Sequence, residues 1–158
     1  MSDRQPMTIH GKAKLESELK NLVQFERPNV IKAIEEARSH GDISENADYD
    51  SAKDRQGMIE GRIAEIQGRL ANAEVVDPAN LQSVTIIFGA TVDLQDLETD
   101  DKVSYQIVGE DESDVKQGKI SIFSPIARSL IGKKKGDIIE FKSPKGEKEF
   151  EVLNFYFK

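Results

Sequence analysis

The sequence predicts an α+β chain of two domains: an N-terminal antiparallel α-helical coiled-coil hairpin, then a C-terminal antiparallel sheet with a short helix. Three observations carry this. Apolar residues recur at helical spacing from about residue 8 to residue 76, and from about residue 80 they alternate at every second position. Between the two patterns stands Asp77-Pro78-Ala79-Asn80, a run of turn-forming residues. The boundary is therefore placed so that 1–77 form the helical finger and 78–158 the sheet domain.

In the first helical stretch Leu15, Leu19 and Leu22 share a face; after Pro28, Val30, Ile34 and Ala37 resume the spacing in a new phase. Proline lacks a backbone donor and clashes with the preceding turn, so one helix kinked or broken at Pro28 is expected. Ser39-His40-Gly41-Asp42 closes it, with Gly41 suited to the left-handed residue that ends a helix. The second stretch places Ala52, Gln56, Ile59, Ile63, Ile66, Leu70 and Ala73 at alternating steps of four and three, the seam of a coiled coil. Because the second helix begins at once, the pair must run antiparallel, a projecting finger on the order of 45 Å long with its tip at about 41–48. The seam could also serve dimerisation, but a hairpin within one chain satisfies it, and a monomer is expected.

In the second half Val84, Ile86, Phe88, Ala90 and Val92 alternate with Thr85, Ile87, Gly89 and Thr91 as a strand does, and Val103, Tyr105 and Ile107 repeat the pattern. Two more strands are expected at Ile138 to Phe141 and Phe150 to Phe157, joined through the turn Ser143-Pro144-Lys145-Gly146. Ser124 to Leu130 reads as a short helix with Ser124 as cap and Pro125 at its first position.

Composition excludes several function classes. The chain has 158 residues with 29 acids against 22 bases, a net charge of −7 and no cysteine. Disulfides, thiol nucleophiles and cysteine metal sites are thereby ruled out. His10 and His40 lack zinc-motif spacing, and no phosphate-loop, dinucleotide or nucleophile-elbow motif occurs. The longest uncharged run, Pro78 to Val92, is too short and too polar to span a membrane, and Met1 to Met7 carries no secretory pattern, so no membrane role and a cytoplasmic location are expected. Bulk charge cannot draw so acidic a chain to nucleic acid; any such role must be local.

The suggestive chemistry lies between the helices, where Gly41-Asp42-Ile43-Ser44-Glu45-Asn46-Ala47-Asp48-Tyr49-Asp50 concentrates carboxylates at the bend. Two readings stand side by side. Asp42 followed three residues later by Glu45 suits a helix cap with its reciprocating acid. Equally, hard carboxylate oxygens at the end of a rigid finger suit Mg²⁺ shared with another molecule, since two or three acids alone hold that ion weakly. Ser44 and Asn46 either orient these acids or begin the helix. Tyr49 either stacks on a base or packs beside the seam. Arg38, Arg55, Arg62 and Arg69 read first as solvated flanks of the coiled coil, with Glu65 and Arg69 an i,i+4 pair, and Lys133-Lys134-Lys135 as an exposed loop.

The tip segment, with Ala52-Lys53 and Glu60-Gly61-Arg62-Ile63, resembles the signature of the Gre transcript-cleavage factors of bacterial RNA polymerase. Ile87-Phe88-Gly89-Ala90-Thr91-Val92 and Ser124-Pro125-Ile126-Ala127-Arg128-Ser129-Leu130-Ile131-Gly132 are similar to the second domain of the same family, in its GreA type. The resemblance implies a coiled coil followed by an FKBP-like domain that docks at the rim of the polymerase secondary channel. It implies that the tip acids, here Asp42 and Glu45, help hold a loosely bound Mg²⁺ in the polymerase active site. No cofactor of the chain's own is implied, and the polymerase cuts its backtracked transcript. It further implies contacts of Lys53, Arg55 and Tyr49 with the RNA 3′ end, and docking through Ser124, Pro125, Ile126 and Ala127.

Two departures from the family pattern stand out. Asp48 replaces the usual Glu before Tyr49, a shorter acid. Lys53 stands where relatives often carry Arg, which keeps the charge and loses the bidentate fork. Three rivals remain: a Gre-like factor that occupies the channel and inhibits, a prolyl isomerase suggested only by the FKBP-like fold, and a self-contained nuclease. The presence of both Asp42 and Glu45 speaks against the first, and fold alone does not carry activity for the second.

Overall fold

The computed structural model describes residues 4–41 and 46–158. Two compact units divide it: Lys12–Asn72 forms one, and the residues up to Gly11 together with Ala73–Lys158 form the other. The first unit is an all-helical hairpin and the second is built on a curled mixed sheet, as the sequence predicts in outline. The units part at Gly11 and Asn72, whereas the pattern change in the sequence fell at 77. The reason is a strand pair with no periodicity of its own: β1 (Gln5–Thr8) lies parallel to β2 (Ala73–Val76), tying the two ends of the helical segment into one ladder.

In the helical unit α1 (Ile9–Asn21), which begins before Lys12, leads through a π-helical turn (Leu22–Glu26) into α2 (Arg27–Arg38), and α3 (Ala47–Ala71) returns. The expected break at Pro28 is this π turn. Pro28 sits in the first turn of α2, and widening the helix just before it relieves the clash of the proline ring with a carbonyl one turn back. A π turn inserts one extra residue, which is the phase shift between the Leu15-Leu19-Leu22 and Val30-Ile34-Ala37 rows. Both rows therefore stay on the inner face, where Val30, Ile59 and Ile63 form a cluster backed by Leu19 and Leu22. Ile66 is also fully buried; each such side chain contributes roughly 1.5–3 kcal/mol by burial.

Charged flanks fix the register. Glu18 pairs with Arg62 at 2.7 Å, Glu26 with Arg55 at 2.8 Å and Arg27 with Glu60 at 2.8 Å, so the partners of the π turn and α2 lie nearer the start of α3 than the partner of α1 does, as an antiparallel pair requires. Hydrogen bonding to Glu60 raises the Arg27 pKa and, in return, lowers that of Glu60. Exposed pairs of this kind contribute about 0–1 kcal/mol each, so they select the pairing of the helices more than they hold it.

The second unit orders its sheet β5-β4-β3-β7-β6. Its strands are β3 (Ala90–Asp96), β4 (Lys102–Val108), β5 (Lys119–Ser121), β6 (Ile138–Ser143) and β7 (Gly146–Phe157). The β6–β7 hairpin turns at Ser143 to Gly146 as expected, with Gly146 at φ +118°. All pairs are antiparallel except β4 with β5, which runs parallel and was not foreseen. A helix, α4 (Pro125–Leu130), buries Ala127 and Leu130 among Val92, Leu94, Ile107, Ile139 and Val152.

One expected strand is corrected. The alternation from Val84 does not pair until Ala90; Val84 is 84% exposed and Ile86 is fully buried. The Ile86 N–H donates to the Lys133 carbonyl and its own carbonyl accepts from the Gly132 N–H, each at 2.8 Å, so this segment is held by the loop after α4. The alternation here fixes neither which side chains are buried nor which partner takes the backbone.

A buried carboxylate holds the start of the chain in this unit. Glu112 accepts from the Thr8 N–H at 2.9 Å, the Thr8 hydroxyl and the Gly109 N–H at 3.1 Å. Thr8 in turn caps α1 by accepting from the Gly11 N–H at 3.2 Å. Gly11 leaves the room: a Cβ there would lie 2.1 Å from the Glu112 Cδ.

Candidate functional site

The turn of the helical hairpin is built from its two helix ends. α2 runs out at Arg38, the Ser39 and His40 amides fold back on its last carbonyls, and Gly41 takes φ +114°. α3 is capped by Asn46, whose Oδ1 accepts from the Tyr49 N–H at 3.0 Å. Asp48 and Asp50 follow in the first helical turn, where acids complement the exposed amides. Asp42, Ser44 and Glu45, the residues to which metal binding and tip chemistry are ascribed, lie outside the described residues. The cap of α3 is nonetheless assigned: it is Asn46, so capping at this helix start is done by a residue other than Asp42.

Asn46 does more than cap. Its Nδ2 donates to the carbonyl of Ala37 at 2.5 Å, crossing from the start of α3 to the last turn of α2. Beside it the Arg38 guanidinium lies 5.8 Å from the centre of the half-buried Tyr49 ring, a cation–π contact between the same two helices. Sequence reasoning did not foresee either bridge. The available signal was the position of Asn46 directly before Ala47 with acids at 48 and 50, a cap pattern overshadowed by the Asp42/Glu45 spacing.

The other tip candidates separate. Tyr49, Lys53, Gln56 and Glu60 step along one line of α3, and the Lys53 ammonium donates to Gln56 at 3.0 Å. Arg55, two residues from Lys53, points to the opposite flank and is engaged by Glu26 at 2.8 Å. Residues two apart on a helix do not face one another, so Lys53 and Arg55 do not make one surface. Among the described residues no group of three or more His, Asp or Glu side chains is arranged to hold a metal ion, and none of the helices is long and apolar enough to cross a membrane.

In the second unit Ser124 caps α4, accepting from the Ala127 N–H at 3.3 Å and donating to the Ser121 carbonyl at 2.6 Å. Pro125 is exposed and Ile126 half-buried, but Ala127 is fully buried. Of the four residues expected to dock a partner, Ala127 therefore has no surface to offer: its methyl faces the core because α4 packs through Ala127 and Leu130. Exposed Phe123 and Ile131 flank the helix instead.

An all-helical hairpin and a curled mixed sheet, each a compact unit by itself, define the chain as a two-unit α+β protein. The model described as transcription elongation factor, N-terminal, matches residues 5–75, and that described as transcription elongation factor, GreA/GreB, C-terminal, matches residues 81–157. The chain is 54% identical to transcription elongation factor GreA of Hyphomonas neptunium over 156 residues, covering 99% of each. It is 57% identical to transcription elongation factor GreA of Verminephrobacter eiseniae over 149 residues, covering 94% of each. The crystal structure of GreA factor homolog 1 of Thermus thermophilus aligns over 97% of this chain and 99% of that one, at 25% identity and a TM-score of 0.44. This chain belongs to the GreA/GreB family of transcription elongation factors.

Proposed function

We propose that this chain enters the secondary channel of bacterial RNA polymerase with its helical hairpin and stimulates the polymerase's own Mg²⁺-dependent cleavage of backtracked RNA. Arrested elongation complexes are thereby released. The observation that carries this reading is the cap of α3: the helix begins at Ala47 and is capped by Asn46, so the capping role for which Asp42 and Glu45 were candidates is filled by another residue. Acids spared from capping remain available as hard oxygen donors.

Asp42 and Glu45 would supply carboxylate oxygens to a Mg²⁺ shared with the polymerase, and the chemistry that ion would supply there is activation of the attacking water. The chain has no cofactor of its own and is no enzyme in isolation. Ser44 lies between the two acids in sequence and orients them. Lys53 and Tyr49, on the line of α3 that starts at the turn, meet the RNA 3′ end. Arg55, on the other flank, keeps its pairing with Glu26 and contributes to the hairpin. Pro125 and Ile126 present the docking surface at the channel rim, with Ser124 shaping it as the cap of α4. The factor works as a cytoplasmic monomer.

The test uses a stalled, backtracked elongation complex with end-labelled RNA. The intact chain should release short 3′ fragments rapidly with Mg²⁺, and the Asp42→Ala, Glu45→Ala double variant should bind and release none. Competent binding by the intact chain without stimulation overturns the reading in favour of an inhibitory channel occupant. Equal activity of the double variant removes the acids from the chemistry.

A further inference from the structure

We infer that the helical hairpin carries a hinge at mid-height, where the π turn of one arm stands opposite Gly57 and Gly61 of the other, so that the paired helices bend there together. The hinge is a property of the hairpin by itself; its use in transcript cleavage rests on the function proposed above.

Two helices packed side by side splint one another, and a weak point in one alone is held straight by its neighbour. A bend of the pair needs both backbones to yield at the same height. In the first arm the yielding element is the π turn Leu22–Glu26, none of whose side chains is fully buried. π turns and glycines are among the few features at which helices kink. The ion pairs fix the height of this turn on the other arm: Glu26 reaches Arg55, Arg27 reaches Glu60 and Glu18 reaches Arg62. The stretch 55–62 of α3 therefore runs beside the π turn, and it contains both Gly57 and Gly61.

Nothing within the chain asks for glycine at either position. Both lie in the interior of α3 without a positive φ, and a Cβ on either would meet nothing within 4 Å beyond the adjoining residues and the helix's own backbone. Glycine is the least favourable residue of a helix interior after proline, because it loses the most backbone freedom on ordering. In Glu60-Gly61-Arg62-Ile63, Glu60 and Arg62 form ion pairs and Ile63 is buried in the seam, which leaves Gly61 with no part in holding the hairpin. The seam itself survives a bend: Val30, Ile59 and Ile63 cluster on the inner face with Leu19 and Leu22, so the helices stay paired while each backbone opens.

The experiment compares the full chain with the Gly57→Ala, Gly61→Ala double variant. Alanine adds helix propensity and touches nothing, so the melting temperature should rise by roughly 2–4 °C for each substitution. Amide hydrogen exchange on the isolated chain reads the hinge directly. In the parent, amides of 22–27 and 57–62 should be less protected than those of 30–37, and in the variant both segments should slow together by about tenfold. Parental protection equal to that of α2, or slowing confined to α3, overturns the hinge. In the backtracked complex the stiffened variant should cleave about tenfold more slowly at saturating factor. A parental rate in a variant whose exchange has slowed overturns the use of the hinge in cleavage. A parental rate at saturation with a raised half-maximal concentration overturns it too, since the glycines then serve the close approach of a partner. A parent that stimulates no cleavage, with exchange as expected, leaves the hinge standing and removes the function it was thought to serve.

Discussion

Glu112 shows how one residue sets the tolerance of its neighbours. Its carboxylate receives two backbone N–H groups and the Thr8 hydroxyl, and Gly11 is packed against its side chain. Gly11→Ala should destabilise the chain by about 1–3 kcal/mol, because the added methyl overlaps Glu112. Glu112→Ala should cost about 1–3 kcal/mol for each donor it leaves dry. The double variant should fall short of the sum of the two, since removing the carboxylate frees the volume that the methyl needs. Denaturant titration of the three variants checks all of this, and strict additivity would show that the two sites do not share that space. Nothing in the sequence marked Glu112, which is one acid among 29 and earns its place only through partners at residues 8, 11 and 109.

At the scale of elements, the hairpin seam and the β6–β7 ribbon respond to opposite kinds of change. Ile63→Ala in the seam removes a side chain 3% exposed and should cost about 2–4 kcal/mol in a thermal melt followed by circular dichroism, whereas Met58→Ala, 76% exposed, should change little. On the ribbon Glu140 stands directly opposite Glu149, and a hydrogen bond and like charge from Glu140 raise the Glu149 pKa. A carboxyl whose pKa is raised on folding favours the folded state when protonated. Its contribution is therefore present at acid pH and lost as pH rises through the glutamate range. Glu140→Gln should raise the melting temperature at neutral pH and lose that advantage towards pH 4; an equal gain at both would exclude charge as the cause. The heptad rows made the seam legible in the sequence, and the β6–β7 hairpin was legible from its Pro-Lys-Gly turn. The π turn was legible only as a phase shift, because the sequence shows that a residue is extra and not how the backbone absorbs it.

For the molecule as a whole, the docking role proposed for α4 can be tested on one surface. Pro125 is exposed and Ala127 buried, two residues apart on α4. Pro125→Glu should leave the melting temperature unchanged and raise about tenfold the concentration needed for half-maximal transcript cleavage, the equivalent of 1.4 kcal/mol of binding. Ala127→Glu should unfold the sheet unit outright, since an unpaired carboxylate in that core has no partner. Unaltered half-maximal concentration in Pro125→Glu would place docking elsewhere on the body.

The sequence by itself determined the two periodicities, the helical hairpin and most of the strands. Periodicity is a property of neighbours along the chain, and these features depend on neighbours alone. Only the tertiary structure decided which ends pair and which side chains do two jobs. It joined β1 to β2 across the whole helical segment, gave the Val84 segment to the loop after α4, turned Ala127 inward, and made Asn46 a bridge between α2 and α3. All but the Asn46 bridge, which spans nine residues, rest on partners far away in sequence. Hydrogen bonds and burial are satisfied by whatever group arrives in space, and no local pattern records which one that will be.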